Sequence, residues 1–263
     1  MIQIRRCAGF DELDACVQLE IEVWGMDASE IFPRKAFLLA QKIGGQVIAA
    51  FDTDLAEPGT KSLIGFVLSW PGIKSGSDGP QPYLHSHMLA VREAYRNHGL
   101  GARLKREQRL EALHRGIRAM EWTFDPLEIK NAHLNIRKLG AVARRYEVDF
   151  YGVSSSRLQG GLPTDRLVAE WQLDSPRVEA ALEDRPMAAP VVEERISVPA
   201  AIYQWKSSQA GRESALMLQL ENRRLFQQAF SQGLAVVGFS RDAQGNGVFE
   251  LASHTRAQVG LKP

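Results

Sequence analysis

Residues 88–104 read MLAVREAYRNHGLGARL. An apolar run ends at Val91, and a helical pattern begins near Leu100. Between them lies Arg96-Asn97-His98-Gly99-Leu100-Gly101-Ala102, a strand-to-helix turn with small residues. Such a turn exposes consecutive backbone N–H groups at a helix N-terminus, and glycines let an anion's oxygens approach the backbone closely. The expected ligand is a pyrophosphate. Lys is absent at the end of the loop, which excludes the GxxxxGK[ST] nucleotide loop, and no GxGxxG opens a first βαβ unit. A lone Gly-x-Gly also fits an ordinary left-handed turn before a helix, so the surroundings decide.

Strand and helix signals alternate on both sides of this turn. On the N-terminal side, Ile2 to Arg6 reads as a strand. Phe10 to Trp24 reads as a helix with Asp11 as N-cap and Gly25 as its stop. A short helix is expected from Pro33, then strands over Gln46 to Phe51 and Lys61 to Trp70, separated by the turn DLAEPGT. The stretch PGIKSGSDGPQP reads as a loop, leading into a strand over Tyr83 to Val91.

On the C-terminal side, the helix after the turn is expected to bury Leu104, Leu110, Leu113 and Ile117. Met120 to Phe124 reads as a strand, Leu127 to Leu139 as a helix stopped by Gly140, and Val148 to Val153 and Leu167 to Leu173 as strands. Residues 174–195 carry three prolines and little period, and read as a linker or surface excursion. Residues 196–263 then read as a small βαββ unit, with Leu218, Leu225, Phe226 and Ala229 on the helix's inner face and RDAQGNG as a hairpin turn. The expected fold class is α/β (α+β), in three parts: a core over 1–173, a linker over 174–195 and a subdomain over 196–263.

Composition narrows the class. The chain has 263 residues, 32 Lys plus Arg against 31 Asp plus Glu, and 44% hydrophobic residues, enough to bury a core. The near-zero balance argues against a nucleic-acid binder. Cys7 and Cys16 are too few for a disulfide framework or a metal cage, and the six histidines lack paired ligand spacing. No apolar run approaches the roughly 18 residues of a membrane span, and MIQIRRCAGF has no apolar signal core. A soluble, cytoplasmic protein is expected, without metal, membrane or nucleic-acid partner.

Taken with this element order, Arg-x-x-Gly-x-Gly, with Tyr95 beside Arg96 and Val91 five residues before it, resembles the acyl-CoA loop of the GNAT superfamily of N-acetyltransferases. The resemblance spans roughly residues 1–173. It implies a central mixed, mostly antiparallel sheet and an acyl coenzyme A, acetyl-CoA first, as cofactor. It implies the pyrophosphate on Arg96, Asn97, His98, Gly99, Leu100, Gly101 and Ala102, and pantetheine pairing with Leu89, Ala90 and Val91. Asn131 or Asn135 would touch the thioester end or the pantetheine arm. The implied reaction is direct acyl transfer to a primary amine of a small molecule, an amino acid among them. The rival reading is a non-catalytic acyl-CoA-binding or interaction protein on the same fold, and a protein or peptide acceptor is a third.

Amine acylation needs a neutral amine, a polarised carbonyl and a proton donor for the thiolate. His85 and His87 share one strand face by alternation, with the parity of Leu89 and Val91, and are the candidate bases. The family's usual Tyr acid falls on Ile136, which leaves Tyr146, Tyr151 or water. Asp125 ends a strand where it could hold a cationic substrate, or simply turn the chain before Pro126. Trp24 is a candidate acceptor-pocket wall, with core packing as the alternative. Arg157, with PTDR at 163–166, offers a positive lip, unless Asp165 and Arg166 pair with each other. Residues 90–145 hold thirteen Lys plus Arg against six acids, which suits the phosphates of coenzyme A. The C-terminal unit would cap the cleft, form a homodimer interface or complete the sheet, and the sequence leaves these three open.

Overall fold

The computed structural model describes residues 1–55, 62–76, 79–186 and 191–253. The DLAEPGT turn beyond Leu55, and His254, lie outside the described residues. The chain divides into two compact units, Met1–Met120 and Glu121–Pro263.

The first unit begins with strand β1 (Ile2–Arg6), helix α1 (Gly9–Trp24) and helix α2 (Arg34–Lys42). Gly25 closes α1 as expected, donating its N–H to Ile21 O at 2.9 Å. The N-cap is Ala8 rather than Asp11, because the helix starts earlier and Asp11 falls in its first turn. Glu12 reaches back instead, accepting from the Ala8 N–H at 2.7 Å. Pro33 sits at the N-cap of α2.

Strands β2 (Gln46–Asp52), β3 (Leu63–Gly76) and β4 (Gly79–Val91) follow, and β1-β2-β3-β4 pair in that order, all antiparallel. Ser77 and Asp78 of the stretch PGIKSGSDGPQP lie outside the described residues, and the rest of it is paired strand: β3 reaches Gly76 and β4 starts at Gly79, with Gly72 opposite Tyr83. The pairing explains the glycine, since a Cβ at Gly72 would sit 2.5 Å from the Tyr83 ring.

Helix α3 (Leu100–His114) completes the unit. One face of the sheet meets α1 and α2, through Leu13, Cys16, Leu19 and Phe37 against Val47, Phe66, Leu68, Met88 and Ala90. The other face meets α3, through Leu100 and Leu104 against Ile48, Ala50, Ile64, Val67, Leu89 and Val91. β2 is buried on both faces, which fits its near-continuous apolar run. The buried stripe of α3 is Leu100, Leu104, Lys105, Gln108 and Ala112. Leu110, expected inside, is 54% exposed. The four-residue period wins over hydrophobicity here, and it buries a lysine and a glutamine.

The second unit takes in most of strand β5 (Ala119–Phe124), then helix α4 (Ile129–Ala132), which widens into a π-helical turn over His133–Lys138. Strand β6 (Val142–Glu147) precedes the expected Val148 to Val153 position, where the chain turns instead. After β7 (Arg166–Gln172), residues 174–195 hold helix α5 (Pro176–Leu182), with Val178, Ala180, Ala181 and Leu182 buried. A buried helix stands where a linker was expected. The C-terminal elements are β8 (Glu194–Val198), α6 (Ile202–Ser207), α7 (Arg212–Ser231), β9 (Leu234–Arg241) and β10 (Gly247–Ser253). The sheet order is β5-β7-β6-β9-β10-β8, so these strands continue the sheet of the second unit. Arg177 on α5 donates to Gly140 O and Val237 O, tying β9 to the π-helical turn's end. Among the described residues, no helix is long and apolar enough to cross a membrane, and no group of three His, Cys, Asp or Glu is placed to hold a metal ion.

Candidate acyl-CoA loop and histidine face

The loop between β4 and α3 is pinned from below and open above. Arg96 Nε donates back to Val91 O at 2.9 Å, and the Tyr95 hydroxyl donates to Asp52 Oδ2 on β2 at 2.7 Å. That hydroxyl holds the Asp52 carboxyl below its usual range and raises the Tyr95 phenol. Asn97 (φ 65) and Gly99 (φ 76) are both left-handed, a backbone pattern that curls N–H groups into an anion nest. Gly99 is the N-cap of α3, and Arg103 is the first residue to donate to it, at 3.1 Å. The amides of Leu100, Gly101 and Ala102 precede any helical acceptor. A Cβ at Gly99 would meet nothing within 4 Å, so the space beside the loop is open. Asn97, His98 and Gly99 are exposed. These residues fit a pyrophosphate.

β4 carries the main surprise. Leu68 of β3 pairs with Met88, but its neighbour Ser69 pairs with Ser86, which makes His87 an extra residue, a β-bulge. The bulge reverses parity. Leu89 and Val91 face α3, whereas His87 lies with its ring 4.6 Å from Phe32, in the cluster of α1 and α2 that also holds Met88 and Ala90. His85 and His87 do share a face, with ring centroids 6.1 Å apart, but it is not the face of Leu89 and Val91. Alternation from His87 to Leu89 does not hold, because the strand is not regular there.

Burial pushes the His87 imidazole down to about 4, with the His85 charge a second cause. Burial also lowers His85, followed by the charges of Lys105 and Lys74. Both imidazoles are neutral near pH 7. Phe32 is itself held by Glu20 of α1, whose Oε1 accepts its backbone N–H at 3.0 Å. Trp24 packs, partly buried, against the same cluster. Glu20 and Phe32 carry no signal in the sequence, because nothing local marks a carboxylate whose partner is twelve residues away.

In the second unit, several candidates are already engaged. Asp125 accepts from Lys206 Nζ at 2.9 Å and from the Leu127 amide at 2.8 Å, so it does not present a free carboxylate to a substrate. Lys206 also lies 3.6 Å from Glu128. Tyr146 donates to Asp165 Oδ2 at 2.7 Å, and burial pushes its phenol well up, which removes it as an acid. The Asp165 carboxylate pairs with Arg223 through two bonds of 2.9 and 3.0 Å, whereas Arg166 reaches Gln159 and the backbone carbonyl of Asp165. The Tyr151 hydroxyl lies 2.9 Å from Thr123 Oγ1, on a half-exposed ring. Ile136 is fully buried, Asn135 is buried on the π-helical turn, and Asn131 is exposed on α4. Arg157 is exposed.

Comparison with known proteins bears on this geometry. The NAA60 of Arabidopsis thaliana in complex with acetyl-CoA superposes with a TM-score of 0.52 at 17% identity, over 65% of this chain and 99% of that one. The same protein with a bisubstrate analogue gives 0.50 at 19%, over 65% and 98%. The NatC complex bound to Gag peptide and CoA gives 0.50 at 14%, over 65% and 98%. At these identities the likeness concerns the fold. A comparison with curated protein sequences gives no match. Residues 15–140, which contain most of α1, the bulged strand, the loop and α3, match the acetyltransferase (GNAT) family, so the chain carries a GNAT acetyltransferase domain over this stretch.

Proposed function

We propose that the chain transfers an acetyl or other acyl group from acyl-CoA to a primary amine of a small molecule, an amino acid among the candidates. The observation that carries this is the open, left-handed loop at Asn97 and Gly99, joined to a bulged strand that turns two neutral histidines to one face.

When bound, acyl-CoA supplies a thioester carbonyl for attack. The loop amides and Arg96 to Ala102 take the pyrophosphate, and the backbone of Leu89, Ala90 and Val91 takes the pantetheine. Asn131 and Asn135 remain candidates for the arm. His87, neutral at pH 7, offers one ring nitrogen as acceptor to an amine N–H. A group with a pKa of about 4 orients that N–H but does not store its proton. The proton therefore passes to water, and water returns one to the thiolate. Trp24 and Arg157 stay as candidate acceptor contacts.

A peptide amine is the second reading, favoured by the peptide in the NatC complex. The test is titration with acetyl-CoA and CoA, then a free-thiol assay over amines, amino acids and short peptides. Transfer to a small amine, lowered in His87→Ala with acyl-CoA binding retained, supports the proposal. Transfer to peptides alone would move the acceptor to the second reading. Binding without any amine-dependent thiol release would leave a binding protein.

A further inference from the structure

Directly beneath the bulge, on the α3 face, lie five polar side chains that the apolar core does not need. Gln46, Ser69 and Gln108 are 0% exposed, Lys105 is 2% and Ser86 is 3%. They form a chain of bonds. Lys105 Nζ donates to Ser86 Oγ at 2.6 Å, and Ser86 Oγ donates to Gln108 Oε1 at 2.9 Å. The backbone carbonyl of Gln108 accepts from Gln46 Nε2 at 2.9 Å, and Gln46 Oε1 accepts from Ser69 Oγ at 2.9 Å. Ser69 and Ser86 are partners across β3 and β4, the first rung below His87.

We infer that this network is a register lock: Lys105 and Gln108 of α3, gripping Ser86, fix the bulge at His87 and so hold His85 and His87 on the face of Phe32. Lys105 and Ser86 are positioning residues, acting through His87.

The physical argument is the period of a strand. A bulge that slips by one residue turns the side chain it passes to the opposite face. Were Ser86 the extra residue in place of His87, His87 would leave Phe32 and meet α3. Apolar contacts alone discriminate weakly between such registers. Held opposite Ser69, Ser86 accepts from Lys105 and donates to Gln108 Oε1; as the extra residue it would leave that rung, and losing buried polar bonds is costly. Burial lowers the Lys105 ammonium well below its ordinary range, so the network is held at a cost that a leucine would not incur. Polar residues that specify one arrangement at the expense of stability are a known use of such groups. Lys105 and Gln108 also stand on the helix whose first turn follows the anion loop, so loop and bulge share one rigid element.

The kinetic half of this inference rests on the acyl-transfer reading; the structural half does not. The experiment compares wild type, Lys105→Met, Ser86→Ala and Ser86→Thr. Imidazole titration of His87 by NMR, acyl-CoA affinity and kcat are measured for each. In the wild type, His87 stays neutral down to about pH 4. In Lys105→Met and Ser86→Ala, its midpoint moves toward the ordinary 6.5. There kcat falls by about 10²-fold, the effect of a misplacement of about 1 Å, with acyl-CoA Kd unchanged. Ser86→Thr keeps the hydroxyl and restores both. Folded Lys105→Met and Ser86→Ala proteins with the wild-type His87 midpoint and kcat would overturn the lock. If Lys105→Met does not fold, Ser86→Ala decides, since it deletes one atom. Should the wild type acylate no amine, the acyl-transfer reading fails, and the His87 midpoint alone decides the lock.

Discussion

Replacing Glu20 with glutamine should flatten a pH dependence that the wild type carries. Glu20 is 0% exposed, its Oε1 accepts the Phe32 amide at 3.0 Å, and its Oε2 is buried with no hydrogen-bond partner. Burial raises its pKa from 4.5 to about 7. Between those values the folded chain binds a proton that the unfolded chain has released. Stability from this group is therefore full below pH 4.5 and is lost as pH rises to about 7. A shift of about 2.5 units corresponds to roughly 3 kcal/mol. Glutamine is neutral throughout and keeps the acceptor for Phe32, but its amide hydrogens inherit the unpartnered place, at about 1 kcal/mol. At pH 4.5 the variant should be less stable than wild type by about 1 kcal/mol, and at pH 8 more stable by about 2. Urea unfolding of both proteins at pH 4.5, 6 and 8 measures the difference, in which all other titrations cancel. A difference that does not change sign or slope across this range refutes the burial argument.

Three further outcomes follow from single contacts. Gly99→Ala, in open space but at φ +76, should cost about 1 kcal/mol in unfolding free energy, while Gly99→Glu should abolish acyl-CoA binding in a calorimetric titration. Unchanged binding would remove the loop from the cofactor site. Tyr95→Phe deletes the 2.7 Å bond to Asp52 and should raise the acyl-CoA KM by about fivefold, one hydrogen bond's worth, without changing kcat. Asp165→Ala takes both acceptors from Arg223 and the partner from Tyr146, and should lower stability by about 3–5 kcal/mol in urea; a loss below about 1 kcal/mol would show the cluster to be solvated.

What could be read in the sequence was local. The loop from Arg96 to Ala102, the stop at Gly25 and the strand ending at Val91 each depend on residues within a few positions, and each is where it was expected. What was hidden depends on distant partners. Asp125 read as a substrate carboxylate because Lys206, eighty-one residues away, gave no sign of coming to meet it. PTDR leaves open whether Asp165 pairs with its neighbour Arg166 or borders a positive lip, and Arg223 on α7 takes the carboxylate instead. Leu110 read as core because it is a leucine, although Leu100, Leu104, Gln108 and Ala112 keep a strict four-residue step that was legible all along.

The bulge shows why side-chain parity and site geometry must be separated in this strand. In a regular strand, His87 and Ala90, three residues apart, lie on opposite faces. With one extra residue they share a face, as the cluster holding Met88, Ala90 and Phe32 requires. The same residue leaves Leu89 and Val91 on the α3 side, next to Leu100 and Leu104 at the base of the Arg96–Ala102 loop. One strand thus supplies packing for the loop's helix beyond the bulge and turns its histidines to the other face at and below it. A chain without the bulge would have to give up one of these two. That is a physical reason for tolerating a buried lysine, Lys105, in a core that leucine would stabilise better.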